Sequence, residues 1–175
     1  MKVGILSDTH RKVGRAKKAI DLLVKEGVEF ILHAGDVVEE EILKYLETTS
    51  IRYVAVLGNN DYHLYKVIDK YNLTTEPHYF KLFNKTWKLM HYPKYMFPLD
   101  TDIIVYGHTH DVDITFNGKN LILNPGEVCA RDHGFSTCMT LDISEEKYIV
   151  TLFYRQIKTK EWKSKVKEFF IGKAQ

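Results

Sequence analysis

The chain has 175 residues, 45% of them hydrophobic and 27% charged, with a formal net charge of +2. A chain of this length can bury a core of its own, and its composition is far from that of a disordered segment. There is no strong basic field to suggest nucleic acid, no apolar run near the roughly 20 residues of a membrane span, and no signal-peptide pattern in MKVGILSDTH, so a cytoplasmic protein starting at Met1 is expected.

Residues 2–7 (KVGILS) read as a buried strand. GRAKKAIDLLVKEG then sets Ala16, Ala19, Ile20, Leu23 and Val24 on one helical face, with Gly27 as the stop signal. Residues 29–34 (EFILHA) form a second strand, VVEEEILKYLETT a second helix through Val38, Ile42, Leu43 and Leu46, and residues 52–57 (RYVAVL) a third strand. This strand–helix alternation implies parallel strands with right-handed crossovers.

The second half is strand-rich: YFKLF, TWKLMH, DIIVYG, DITF, NLIL, STCMTLDI and KYIVTLFY. Asn117-Gly118 in FNGKN is the centre of a hairpin turn. From about residue 158 the tail is basic and partly amphipathic through Trp162, Val166 and Phe169 or Phe170, which predicts a surface-packed C-terminal helix. No internal repeat, linker or low-complexity stretch divides the chain, so one domain over residues 1–175 is expected. Cys129 and Cys138 are too few for a disulfide framework and form no CxxC pair, so they are expected to be small buried residues.

Polar residues recur where apolar strands end: Asp8 and His10, Gly35-Asp36, Gly58-Asn59-Asn60-Asp61, His91, and Gly107-His108-Thr109-His110. Open α/β sheets bind ligands beyond the carboxyl ends of their strands. In extended backbone, residues i and i+2 face one way, so Asp8 should converge with His10 and His108 with His110. Each piece has an ordinary reading. Asp8 could set a turn, Asp36 could cap the second helix, and His91 could be a core histidine. The joint pattern of seven donors favours metal. Mixed imidazole and carboxylate ligands suit Mn, Fe, Ni, Zn or Co, and seven suit two ions about 3.5–4 Å apart.

The order D-x-H … G-D … G-N-x-D … H … G-H-x-H resembles the calcineurin-like metallophosphoesterase superfamily, and most of all its small bacterial and archaeal phosphodiesterases. The resemblance covers nearly the whole chain. It implies an α/β fold, a two-sheet mixed sandwich flanked by helices. It also implies a metal pair, manganese being the first choice: Asp8, His10 and His110 at one ion, Asn59, His91 and His108 at the other, and Asp36 bridging. The implied activity is hydrolysis of a small phosphate ester, with a shared water acidified by the two ions.

The sequence also departs from the family. Where many relatives carry a histidine after the metal-binding asparagine, this chain has Asn60, which cannot act as a general acid at neutral pH. His63 is the nearest replacement, although a solvent-exposed helical position would explain it as well. Asp61 could orient a neighbour or cap the next helix. His33 reads as structural, Glu127 as a partner for a ligating histidine, and Arg131 and His133 as residues within reach of the site. HYPKYMFPLDTD is short and aromatic where relatives often carry a helical insert. Tyr95, Met96 and Phe97 there either wall an open mouth or pack into the core. Three rivals stand beside a phosphodiesterase. A phosphomonoesterase is chemically close. A binding scaffold such as the retromer subunit of this fold should lack ligands, yet all seven are present. A nuclease would want a basic platform. Edge strands leave an oligomer open.

Overall fold

The computed structural model describes residues 1–172, so Lys173, Ala174 and Gln175 of the expected basic tail lie outside the described residues. The chain runs β1 (Lys2–Leu6), α1 (Val13–Lys25), β2 (Phe30–His33), α2 (Glu40–Thr48), β3 (Arg52–Val56), a 3-10 segment (Tyr62–Lys70) and β4 (Leu73–Thr74). The second half follows with β5 (His78–Leu82), β6 (Lys85–Leu89), a 3-10 turn (Pro93–Tyr95), β7 (Ile103–Val105), β8 (Val112–Phe116), β9 (Leu121–Pro125), β10 (Phe135–Ile143), β11 (Lys147–Gln156) and β12 (Lys163–Phe170).

Two mixed sheets result. The first has order β12-β11-β10-β1-β2-β3-β4 and the second β5-β6-β7-β9-β8. In the first sheet β1, β2, β3 and β4 are parallel, and in the second β6, β7 and β9 are parallel. Antiparallel hairpins finish both sheets. One is the β8–β9 turn, where Asn117 Oδ1 accepts the N–H groups of Lys119 and Asn120 at 3.0 and 2.7 Å.

The sheets pack face to face through Val3, Ile5, Leu32 and Met139 against Trp87, Leu89, Val105 and Leu123. Each such fully buried large side chain contributes about 1.5–3 kcal/mol. Helices α1 and α2 cover the other face of the seven-stranded sheet through Ala16, Ala19, Ile20, Leu23, Ile42, Leu43 and Leu46. Val24, expected on that face, is 39% exposed, because a helix turns 100° per residue and carries it past the seam. Gly27 takes φ +74° just beyond α1, the left-handed stop its position predicted. Cys129 and Cys138 are buried free thiols.

Among the described residues, α1 and α2 both flank the seven-stranded sheet. Over the outer face of the five-stranded sheet, Tyr95, Met96 and Leu99 of the 93–100 segment pack on Met90, Ile104 and Ile122, which settles those two residues as core packing, while Phe97 is 75% exposed. Lys88 anchors the segment from beneath. Its fully buried side chain donates to the carbonyls of Met96 (3.2 Å) and Pro98 (2.6 Å) and pairs with Asp100 at 2.6 Å. Lys88→Ala removes the stem and all three bonds, and should lower unfolding free energy by about 2–3 kcal/mol in urea titration. A loss within 0.5 kcal/mol would show that the segment holds itself.

The predicted C-terminal helix is instead β12, paired antiparallel with β11. Helical spacing of Trp162, Val166 and Phe169 competes there with a period-two row, Lys163, Lys165, Lys167 and Phe169. The open edge of β11 offers backbone partners that an isolated surface helix would lack. Among the described residues, no helix is long and apolar enough to cross a membrane.

Candidate metal centre

The parallel strands of both sheets end at one rim, and the loops leaving β1, β2, β3, β6 and β7 meet there. They are tied to one another by main-chain bonds: Asp8 N–H to Gly35 O (3.1 Å), His10 N–H to Asp36 O (3.0 Å), Gly107 N–H to His91 O (3.1 Å) and Cys129 N–H to Asp8 O (3.0 Å). Glycines permit this closeness. Gly35 has φ +88°, and a Cβ there would sit 2.6 Å from the His91 ring. A Cβ on Gly107 would collide with the Ser7 hydroxyl.

The extended geometry expected for the DxH and HxH pairs is absent. Asp8, His10, Asp36, His108 and His110 all adopt left-handed φ, between 45° and 68°. For non-glycine residues this conformation is strained and tends to gather at functional sites. Asp8 and His10 still converge, with Oδ1 and Nε2 3.8 Å apart. His108 and His110 do not face one point. Each joins a different set.

The first set contains Asp8, His10 and His110. His110 Nε2 lies 3.1 Å from Asp8 Oδ1, and the rings of His10 and His110 meet edge to face at 5.5 Å. The second set contains Asn59, His91 and His108. Asn59 Oδ1 faces His91 Nε2 at 2.9 Å and His108 Nδ1 at 3.1 Å, and these two ring nitrogens are 3.3 Å apart. Asp36 stands between the sets, its Oδ2 3.6 Å from His10 Nε2 and 3.5 Å from His91 Nε2. Asp36 is therefore not the cap of α2, which starts four residues later behind Glu39.

Electrostatics keep most of these donors ready to ligate. Burial pushes the Asp8 carboxyl up, but hydrogen bonds from His110 and Ser7 outweigh it, and its pKa lies below the ordinary value. Burial pulls His10 and His108 below the usual imidazole range. His110 moves the other way because of its bond to Asp8. Buried His10 Nε2 has no hydrogen-bond partner among the described residues, and Asp8 Oδ1, 3.8 Å from it, meets only the His110 ring nitrogen at 3.1 Å. Buried polar atoms rarely stay unsatisfied, so His10 Nε2 marks a place where a further group belongs. Nitrogen and oxygen ligands at about 2.0–2.2 Å from one cation stand roughly 3–3.5 Å from each other, close to the spacings found. The residues fit divalent ions.

Other residues hold this constellation in place, and several left no signal in the sequence. Ser7 Oγ donates to Asp8 Oδ2 at 2.6 Å. The Glu76 carboxylate accepts the N–H groups of His91 and Tyr92. Asn124 Nδ2 donates to Gly107 O and Thr109 Oγ1. Asp132 Oδ2 lies 2.6 Å from His110 Nδ1. Glu127 is buried with Oε2 3.0 Å from the same nitrogen, and it accepts N–H groups from Arg131, Asp132 and His133. Cys129 lies beside His10 and His110. Burial and the nearby Glu127 carboxylate push its thiol up to about 12, and its Sγ donates to Glu127 Oε2 at 3.0 Å. His33 is fully buried, contacts Thr9 Oγ1 at 3.0 Å, and is pulled down to about 4 by burial, a neutral structural imidazole.

Asp61 and His63, both candidates for catalysis, are placed differently from that role. Asp61 is fully buried and accepts the N–H groups of Gly58 (2.8 Å), Val37 (3.1 Å) and Val38 (2.7 Å). It fastens the β2 and β3 loops together and does not reach solvent. His63 lines the cleft, but its Nε2 lies 2.6 Å from Val38 O. Val38 itself has φ +62°, an unusual conformation for a β-branched residue, and Asp61 and His63 grip it from its two backbone ends. Asn60 is exposed and donates through its backbone N–H and Nδ2 to the two oxygens of Asp36, at 2.9 and 2.7 Å.

Above the rim lies an open cleft of about 660 Å³, lined among others by His10, Asn59, Asn60, Tyr62, His63 and Arg131. The ring of Tyr92, rather than Tyr95 or Met96, leans over His108 at 4.3 Å. His133 lies 3.1 Å from Asp111 Oδ1 and lines a neighbouring cavity with His110 and Glu127.

A two-sheet sandwich with imidazole and carboxylate donors gathered at its strand ends is a scaffold for holding divalent cations. Residues 1–146 match the calcineurin-like phosphoesterase superfamily domain, and the chain belongs to this family. A phosphodiesterase from Methanocaldococcus jannaschii is 29% identical over 169 residues, covering 85% of this chain and 96% of that protein. A solved structure described as a novel archaeal phosphodiesterase superposes with a TM-score of 0.72 at 27% identity, covering 95% of this chain and 99% of the other. Vps29 from Chaetomium thermophilum shares the fold with a TM-score of 0.80 at 12% identity, over 100% and 97% of the two chains.

Proposed function

We propose that the protein hydrolyses phosphodiesters with a pair of divalent transition-metal ions. Asp8, His10 and His110 would hold one ion, Asn59, His91 and His108 the other, and Asp36 would serve both. The position of Asp36 carries this reading, with its Oδ2 about equally far from His10 and His91. The mixed donor set suits manganese, iron, nickel, zinc or cobalt, and the family resemblance puts manganese first among them. When bound, such ions supply Lewis acidity toward phosphate oxygens and a nucleophile drawn from water near neutral pH.

The chain's own residues do the rest. Asn60 orients the Asp36 carboxylate and keeps its second amide hydrogen for a phosphate oxygen. The Glu127 and Asp132 carboxylates crowd His110 Nδ1 at 3.0 and 2.6 Å, on the far side of the ring from Asp8, and leave Nε2 toward Asp8. Arg131 Nη2, 3.5 Å from His110 Nε2, brings a positive charge to the place where negative charge builds on the ester. The open cleft leaves room for both arms of a diester, and the archaeal relative's description as a phosphodiesterase agrees with that.

None of the three candidates Asn60, Asp61 and His63 is poised to protonate a leaving group. Asn60 cannot do so, Asp61 is enclosed, and His63 is engaged with Val38, so it acts as a positioning residue. Aryl diesters, whose leaving groups need no acid, should therefore turn over far faster than alkyl diesters. His63→Ala should lower both by a similar factor. A loss on alkyl esters larger by about 10²-fold would restore His63 as the acid.

The test of the whole reading is metal analysis of the purified protein beside turnover of bis(p-nitrophenyl) phosphate and p-nitrophenyl phosphate with Mn, Ni, Zn and Mg. Faster diester turnover is expected. Preference for the monoester would make it a phosphomonoesterase, and no turnover with any metal would favour a scaffold role, to which the Vps29 likeness lends its fold.

A further inference from the structure

The cleft is far more positive than the chain that forms it. Arg11, Lys12, Arg15 and Arg131 all line it, while the carboxylates of Asp8 and Asp36 lie beneath His10 with the donor sets. Over the whole sequence the excess of basic over acidic residues is only two, 25 against 23, so this corner is a local concentration.

Two of the four cations have work within the protein. Arg15 donates through Nη1 to the Cys129 carbonyl, and Arg131 pairs with Asp132 at 3.2 Å. Arg11 and Lys12 are exposed, and their side chains have no hydrogen bond or ion pair among the described residues. They sit next to His10 on the loop leading into α1, beside the first set of donors. Helix α1 follows at Val13 with no side-chain cap and no acidic residue in its first turn, so nothing on that side offsets the two charges.

A simple phosphodiester carries one negative charge, and in the proposed reaction that charge lies over the donor sets. The Arg11–Lys12 corner is then left facing the ester's substituent. The geometry points to a substrate with a second phosphate on one arm, held by Arg11 and Lys12 while the diester lies at the metal centre. This rests on the proposed phosphodiesterase activity and narrows it from diesters in general to phosphorylated ones. Clefts lined by one sign of charge concentrate ligands of the other and lose that advantage in salt.

Two matched chromogenic diesters test this: thymidine 5′-(p-nitrophenyl phosphate) and the same compound with a 3′-phosphate. With the Mn-loaded protein, kcat/KM should favour the 3′-phosphorylated compound by about 5- to 10-fold at low salt, mainly through KM. In the Arg11→Ala/Lys12→Ala variant the ratio should fall toward one. In a control variant, Lys163→Ala/Lys165→Ala on β12, it should stay. Equal kcat/KM for both compounds in the native protein, or a preference that survives the double variant, would overturn the proposal.

A binding arm separates this from the fate of the hydrolase reading. Calorimetry of the Mn-loaded protein with thymidine 3′,5′-bisphosphate and with thymidine 5′-monophosphate should show the bisphosphate binding at least fivefold tighter, with that margin lost in the double variant. Tighter binding without any turnover would uphold the anion subsite and sink the hydrolase. Turnover with no binding difference would do the reverse.

Discussion

Asp36→Asn is expected to reduce kcat/KM for an aryl phosphodiester by at least about 10³-fold, and to lower the metal content of the purified protein. The size follows from the residue's place. Asp36 reaches both sets with one oxygen, 3.6 Å from His10 Nε2 and 3.5 Å from His91 Nε2. Removing one preorganised electrostatic group from an enzyme site commonly costs about 10²–10³-fold, and a shared carboxylate serves two ions. Asparagine has nearly the shape of aspartate, and its Oδ1 can still accept the Asn60 backbone N–H. The fold should therefore survive, which near-UV circular dichroism would confirm. Activity within tenfold of the native protein would mean that Asp36 is not shared, and the two-ion reading would fall with it.

Stripping the metal should have the second-largest effect. After EDTA treatment and desalting, turnover should vanish and return when Mn is added. The thermal midpoint should also drop. A ligand that binds only the folded state at 100 times its Kd adds about 2.7 kcal/mol of stability. For a domain near this size that corresponds to roughly 5–10 °C. The unpartnered His10 Nε2 gives the structural reason, since without a cation it is a buried polar atom with nothing to bond among the described residues. An unchanged midpoint, with and without Mn, would show that this atom is satisfied some other way.

Much of this architecture was legible in the sequence because it rests on short-range rules. β1, β2 and β3 are continuous apolar runs, the mark of parallel strands covered on both faces. The Asn117-Gly118 turn and the Gly27 stop are local chemistry. Seven candidate donors could be named because they cluster just after apolar runs. What escaped was whatever depends on distant partners. Helical and strand spacings coexist in β12, and only the vacant edge of β11 decides between them. Asp61 resembles a helix cap until the N–H groups of Val37 and Val38, more than twenty residues away, are found on its carboxylate. Glu76 and Asp132 lie in ordinary loop sequence and Asn124 near the end of β9, and their roles exist only through the chain segments they touch. The left-handed backbone at the donors was missed for a related reason. Nothing in Asp-Thr-His or His-Thr-His announces it, and the interloop bonds that hold it come from β2, β6 and the loop after β9.

Those bonds between loops have one more consequence. Loops braced by each other's main chain cannot reshape themselves around different molecules, so the reactive floor is a fixture. Any tuning for a particular cargo must come from the overhanging residues: Arg11 and Lys12 on one bank, Tyr62 and His63 on another, Tyr92 and Arg131 on the remaining sides. Cousins with the same floor could diverge in diet by exchanging only that fringe, while the interior stays as it is.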